Sequence, residues 1–142
     1  VLKRMGNTIS ASVSEYNHNA ILVFGSAPDT FYDSTNFGTS ISVSDLTLDG
    51  NYANQSVTAG TYGSHGINQG HTIGTDTGNN IDGITIRNVK VQNTMQDGML
   101  FNNSRNLLIE GCVTYKTGQT QVVTTKNGIS ITHNASAPWP LP

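Results

Sequence analysis

The chain has 142 residues, a formal net charge of −2 and one cysteine. The length suits one domain or part of one, and the single cysteine excludes an internal disulfide framework and a cysteine-based zinc site. The near-neutral charge gives no reason to expect nucleic-acid binding, which requires a basic surface. No apolar run approaches the roughly 20 residues of a membrane span, so we expect neither nucleic acid nor a membrane as partner.

Short runs of alternating apolar and polar residues recur along the chain, and helical periodicity is nearly absent. In chain order these runs cover residues 40–44, 46–50, 84–91, 97–102, 107–115 and 127–132. Matching positions recur at similar intervals, as from Ile84 to Leu107 and from Gly98 to Gly128. A period of roughly 20–30 residues with three short strands is typical of a solenoid whose coils stack on one another.

Alternation along a strand predicts which side chains point into the core. We assign these residues to the interior: Ile84, Ile86, Val89, Val91, Met99, Phe101, Leu107, Ile109, Val113, Ile129 and Ile131. We assign these to the outside: Thr85, Lys90, Leu100, Asn102, Thr114, Ser130 and Thr132. Cys112 is expected to be small core filler, as free cysteines usually are.

Asparagine tolerates a left-handed backbone and so suits tight bends. The asparagines expected at or near corners are Asn88, Asn93, Asn102, Asn106 and Asn127.

The two ends of the sequence predict how the repeats are bounded. Residues 1–134 are expected to form about five or six coils at about 25 residues each. Residues 135–142 carry three prolines among the last five positions and are predicted to be a tail or linker. Solenoid ends need caps, and no amphipathic capping helix is evident, so we expect a longer parent helix or an oligomer.

The order of three segments resembles the pectate-lyase superfamily, and more narrowly the catalytic modules of mannuronan C-5 epimerases and polysaccharide lyases. These segments are residues 47–54, 84–94 and 97–112, with a long glycine-rich stretch after the first. Phage tail spikes and depolymerases share the layout. The resemblance implies an all-β fold, a right-handed single-stranded parallel β-helix, that acts on a polysaccharide. It also implies an extracellular or virion-associated protein, trimeric if it is like a tail spike.

One departure from that resemblance bears on activity. The epimerases and related lyases carry an Asp-Pro-His string on the strand that here spans residues 99–103, where neither the aspartate nor the histidine is present. Paired aspartates of the hydrolase branch, which would flank the scissile bond, are also missing from the outward positions. The alternatives are an enzyme with an altered centre, a non-catalytic glycan-binding or structural β-helix, and a fragment whose active coils lie elsewhere.

Epimerisation and β-elimination both begin with removal of the proton next to a uronic-acid carboxylate, which needs a base and a group that neutralises the carboxylate. The candidate catalytic residues are His71, His133 and Arg105. The candidate substrate-binding residues are His65, Asn68, Asp97, Asn102, Asn103 and Lys126. A stretch rich in glycine and aspartate suggests calcium as a possible cofactor, with Asp76 and Asp82 as candidate ligands.

Overall fold

In the computed structural model, residues 1–3, 5, 20–24, 38–55, 65–69, 81–102, 104–119 and 127–132 are described. They form eleven strands and one short 3₁₀ helix, Tyr52–Asn54. The strands are β1 Leu2–Lys3, β2 Leu22–Phe24, β3 Gly38–Ser44, β4 Thr47–Asp49, β5 Ile67–Gln69, β6 Ile81–Arg87, β7 Lys90–Gln92, β8 Met99–Asn102, β9 Ser104–Glu110, β10 Val113–Tyr115 and β11 Ile129–Thr132. Within these ranges no helix is long and apolar enough to cross a membrane.

The strands pair into three parallel sheets. Sheet A has the order β1-β4-β7-β10, sheet B the order β2-β5-β8-β11 and sheet C the order β3-β6-β9. From β3 to β11 the chain therefore visits sheets C, A and B in the same order three times. The described part of the chain is all-β, as the sequence predicts.

One hydrophobic cluster draws its side chains from all three sheets. Leu48 and Val91 come from sheet A, Ile67 and Phe101 from sheet B, and Ile84 from sheet C; each is fully buried. Isoleucine and valine suit this arrangement because branched side chains pack well on a pleated surface. Each strand contributes only one or two of these side chains, so the core is stable only where several strands stack.

Tight bends at equivalent places connect the strands. Asp45 and Asn88 both have a left-handed backbone, and the amide Nδ2 of Asn88 donates to Asp45 Oδ1 at 3.0 Å. The same conformation occurs at Asn93 and Asn106. The prediction that asparagines occupy the bends is confirmed for Asn88 and Asn93, whereas Asn106 has its left-handed backbone inside β9.

The predicted facing of β10 is wrong. Thr114 pairs with the buried Val91, whereas Val113 pairs with the exposed Lys90 and is itself 54% exposed. Cys112 packs against the core, as predicted. Aligning Val113 with Val89 by apolar character alone shifts this strand by one residue, and such a shift exchanges its two faces.

The predicted interior facing of β11 agrees with its register, although its apolar side chains are not buried. Ile129 pairs with Met99 and Ile131 pairs with Phe101, so both continue columns of buried residues. They are nevertheless 39% and 64% exposed. The reason is that β11 is the edge strand of sheet B.

Candidate functional site

A polar residue followed by glycine opens three neighbouring strands of sheet B. The pairs are His65 and Gly66, Asp97 and Gly98, and Asn127 and Gly128. The backbone N–H of Gly66 donates to Gly98 O at 3.0 Å, and that of Gly98 donates to Asn127 O at 3.1 Å. His65, Asp97 and Asn127 therefore lie one above another in what we call the polar corner.

Gly66 and Gly98 cannot be replaced by larger residues without a clash, because an added Cβ would meet neighbouring atoms. A Cβ on Gly98 would lie 2.6 Å from Gly128 O and 2.8 Å from Thr114 Cγ2. A Cβ on Gly66 would lie 2.6 Å from Gly98 O and would collide with Val91 Cγ1. The chain thus approaches its own backbone closely at this corner, which holds the preceding polar residues in register.

The polar corner contains a buried histidine next to a buried carboxyl group. His65 Nδ1 lies 3.6 Å from Asp97 Oδ2, and the two residues are only 6% and 5% exposed. Burial lowers the pKa of His65 from 6.5 to about 4, so the imidazole is neutral at pH 7. Burial raises the pKa of Asp97, and the hydrogen bond that its Oδ1 accepts from Asn127 N–H offsets only part of that rise.

This contact is therefore not an ion pair at neutral pH. At 3.6 Å it is also too long for a hydrogen bond, and His65 Nδ1 has no hydrogen-bond partner. A neutral imidazole beside a carboxyl group with a raised pKa is the kind of pairing that acid–base chemistry uses. Here both groups lie below the surface, so a substrate would reach them only if the corner opened.

The structure describes only some of the other residues that we predicted to bind substrate or to act in catalysis. Asn68 is buried in β5, next to the buried Gln69, which accepts a hydrogen bond from Ser104 Oγ. Asn102 ends β8 and Arg105 lies in β9, on the segment that connects sheets B and C; their side chains lie outside the described part of the structure. Outside the described residues altogether are His71, Asn103, Lys126 and His133. The roles assigned to all these residues stay predictions.

The candidate calcium ligands are likewise only partly described. Asp82 accepts a hydrogen bond from Asn106 Nδ2 at 2.7 Å, and Asp76 lies outside the described residues. Over the described ranges, no group of three or more His, Cys, Asp or Glu side chains is placed to hold a metal ion. The calcium site stays a prediction.

Sequence reasoning missed a pocket at the end of sheet A. This lysine pocket has a volume of about 330 Å³. Its lining includes Lys3, Asp49, Tyr52, Asn54, Asn93 and Lys116. Lys3 and Lys116 are far apart in sequence, and only the pairing of Lys3 with Asp49 and the stacking of the later strands bring them together.

The carboxylate of Asp49 is held by neighbours on the protein. Its Oδ1 accepts hydrogen bonds from Asn51 N–H at 2.8 Å and Asn93 Nδ2 at 3.1 Å, and its Oδ2 accepts one from Gln92 Nε2 at 2.9 Å. Partial burial alone would raise the pKa of Asp49, but these hydrogen bonds and the charge of Lys3 together lower it. Asp49 is therefore ionised at pH 7 and serves to fix the bend.

The ring of one tyrosine lies close to two lysine ammonium groups beside the lysine pocket. Tyr115 lies on β10, with Lys116 Nζ 5.4 Å and Lys90 Nζ 5.7 Å from its ring centroid. Both distances are within the range of cation–π attraction. The outer face of sheet A and the pocket at its end together present positive charge and aromatic surface, which suits anionic and hydroxylated ligands.

Comparison of the chain with protein-family models, curated proteins and solved structures finds no match.

Proposed function

We propose that the three sheets are the faces of a right-handed parallel β-helix and that the chain acts on an anionic, uronic-acid polysaccharide. The proposed reaction is β-elimination or C-5 epimerisation. The observation that carries the proposal is the repeated visit of the chain to sheets C, A and B with parallel pairing throughout. A solenoid of this kind presents long parallel grooves between stacked corners, and an extended polymer can lie along such a groove.

The segments that carry the family resemblance are distributed over these sheets. Residues 47–54 include β4 and the 3₁₀ helix, residues 84–94 include the second half of β6 and all of β7, and residues 97–112 include β8 and β9. The proposal therefore extends to membership of the pectate-lyase superfamily and to an extracellular or virion-associated location.

In the proposed reaction, a histidine removes the C-5 proton next to the sugar carboxylate while a cation neutralises that carboxylate. In β-elimination the C4–O bond then breaks and the leaving oxygen takes up a proton, whereas in epimerisation a proton returns to C-5 on the opposite face. We assign the base to His71 or His133 and the neutralising role to Arg105. Asn102, Asn103 and Lys126 would hold the chain by hydrogen bonds and charge. Calcium could assist at Asp76 and Asp82 by binding the carboxylate.

A second candidate function is a non-catalytic β-helix, a tail-spike shaft or surface adhesin that binds glycan or only holds shape. The burial of His65 and Asp97 favours it, because an acid–base pair that solvent does not reach is suited to a structural role. Such a protein would function as a homo-oligomer, a trimer if it is like a tail spike, rather than through turnover.

The deciding experiment incubates the folded chain with a panel of uronic-acid polysaccharides, with and without calcium. Ultraviolet absorbance reports the unsaturated chain ends that a lyase makes, and proton NMR of the product reports epimerised sugars. Of the variants His71→Ala and His133→Ala, the one that removes the base should lose turnover. His18→Ala is the matched control, because the sequence places this histidine in a polar Asn-His-Asn turn.

The outcomes of this experiment separate the two candidates. An increase in ultraviolet absorbance establishes a lyase, and a changed sugar composition without that increase establishes an epimerase. If neither the absorbance nor the sugar composition changes with a folded sample, the enzyme proposal is overturned and the non-catalytic β-helix is favoured. Turnover that survives both histidine substitutions would refute the assignment of the base.

A further inference from the structure

The lysine pocket at the end of sheet A has the size, charge and lining of a ligand site. Its volume of about 330 Å³ falls at the lower end of the about 300–1,000 Å³ typical of small-molecule sites. It lies where β4, β7 and β10 of sheet A end, whereas the buried pair His65 and Asp97 lies where β5 and β8 of sheet B begin. We propose that this pocket binds one anionic sugar unit, with Lys116 as the group that contacts its carboxylate or sulfate.

The charge of Lys3 already acts on Asp49, whereas Lys116 has no carboxylate partner among the described residues. Asp49 uses both carboxylate oxygens on protein donors, as described above. Among the described residues, neither Lys3 nor Lys116 forms an ion pair. Two ammonium groups against one occupied carboxylate leave the pocket with a net positive charge, which favours an anion over a neutral ligand.

Lys116 lies in the bend after β10, at the position that Asn93 occupies after β7. Both residues have the left-handed conformation that this bend requires, with φ of 51° and 54°. Asparagine adopts this conformation readily, whereas lysine does so at a cost. The bend places Lys116 beside the pocket.

The remaining lining matches the body of a sugar. Tyr52 supplies an aromatic surface, on which the apolar face of a pyranose ring can pack. Asn54 and Gln119 also line the pocket, and side-chain amides both donate to and accept from hydroxyl groups. Aromatic, amide and cationic groups together match a hydroxylated anion better than an inorganic ion.

This inference goes beyond the proposed function, since binding at the lysine pocket requires neither turnover nor the histidines assigned to it. Its failure and that of the enzyme proposal are therefore distinguishable. The test is an NMR titration of the nitrogen-labelled full chain with four probes: glucuronate, glucose 6-sulfate, glucose and inorganic sulfate. The backbone amides of Tyr52, Asn93 and Lys116 are the reporters.

We expect glucuronate or glucose 6-sulfate to shift these reporters in a saturable way, and the stronger of the two identifies the anion. Lys116→Asn should weaken that binding about three- to tenfold while keeping the bend. Lys90→Asn is the matched control, because Lys90 contacts the same Tyr115 ring but does not line the pocket. This control should bind like the unmodified chain.

Three results would overturn the proposal. Binding of glucose as tight as that of the anionic sugars would remove the role of Lys116. Binding of inorganic sulfate as tight as that of either anionic sugar would remove the role of Tyr52 and the amides. Equal losses for Lys116→Asn and Lys90→Asn would show that only the general charge of the face attracts the anion.

Discussion

Replacement of Gly98 by alanine should be among the most damaging single-methyl changes in this chain. The added Cβ would lie 2.6 Å from the carbonyl oxygen of Gly128, 2.8 Å from Thr114 Cγ2 and 3.0 Å from Thr117 Cγ2. The nearest of these atoms belongs to the backbone of the neighbouring strand in sheet B, so it cannot move aside by a change of side-chain rotamer. The methyl group can be accommodated only if the spacing of two hydrogen-bonded strands changes.

Overpacking in a well-packed interior typically costs about 1–3 kcal/mol. We expect Gly98→Ala at the upper end, about 3 kcal/mol, because the clash is with backbone and threatens the hydrogen bond from Met99 N–H to Gly128 O. That loss is a large share of a domain's usual stability of about 5–15 kcal/mol. With a urea slope of about 2 kcal/mol per molar, the midpoint of unfolding should fall by about 1.5 M.

The matched control is Gly83→Ala. Gly83 has φ of 80°, but an added Cβ would approach nothing closer than 3.4 Å, the backbone nitrogen of Ser40. Its cost is therefore conformational, about 1–2 kcal/mol for a left-handed backbone. Urea unfolding followed by circular dichroism measures both variants. A Gly98→Ala loss no larger than that of Gly83→Ala would refute the steric argument.

Three further predictions concern ionisable groups. Because the pKa of His65 is about 4 in the folded chain and 6.5 when unfolded, its contribution to stability is complete above pH 6.5 and is lost as the pH falls toward 4, by about 3 kcal/mol in all. In His65→Gln the urea midpoint of unfolding should change less with pH between 6.5 and 4 than in the unmodified chain, and an equal change would contradict the burial argument. Asp97, whose pKa is raised by burial, stabilises the folded chain as the pH falls and so opposes the effect of His65 at the acidic end of that range. Lys116→Asn should leave the free energy of unfolding unchanged or raise it by up to about 1 kcal/mol, since asparagine accepts the left-handed bend. Thermal unfolding measures this change, and a lower free energy of unfolding would contradict the prediction. Glu110→Gln should cost less than about 0.5 kcal/mol in the same assay, because the Arg87–Glu110 ion pair is more than half exposed on both sides.

The alternation of apolar and polar residues determines much of what the structure contains. Predicted interior residues such as Ile84, Ile86 and Phe101 are fully buried, because a strand has two faces and only one can meet the core. The repeated glycines at 66, 98 and 128 also identify equivalent positions, and backbone hydrogen bonds link them as neighbours. These features are local, so the sequence alone reveals them.

Pairing register between strands decides what the sequence could not. Cys112, not Val113, follows Val89 in the core, since the hydrogen bond from Val113 N–H to Val89 O fixes the alignment at 3.0 Å. Apolar character does not distinguish two adjacent residues, whereas the hydrogen-bond ladder does. The burial of His65 beside Asp97 likewise depends on how closely the strands stack.

The lysine pocket depends on tertiary structure entirely. Lys3 lies in β1 and Lys116 lies in the bend after β10, and these two strands form the opposite edges of sheet A. Neither residue lies in a motif that predicts a shared site. Local pattern therefore determined the strands, the bends and the core of this protein, because each follows from the chemistry of a few consecutive residues. Only the stacking of the strands decided which polar groups became buried and which charges came to line one pocket, because those contacts join residues that the sequence holds far apart.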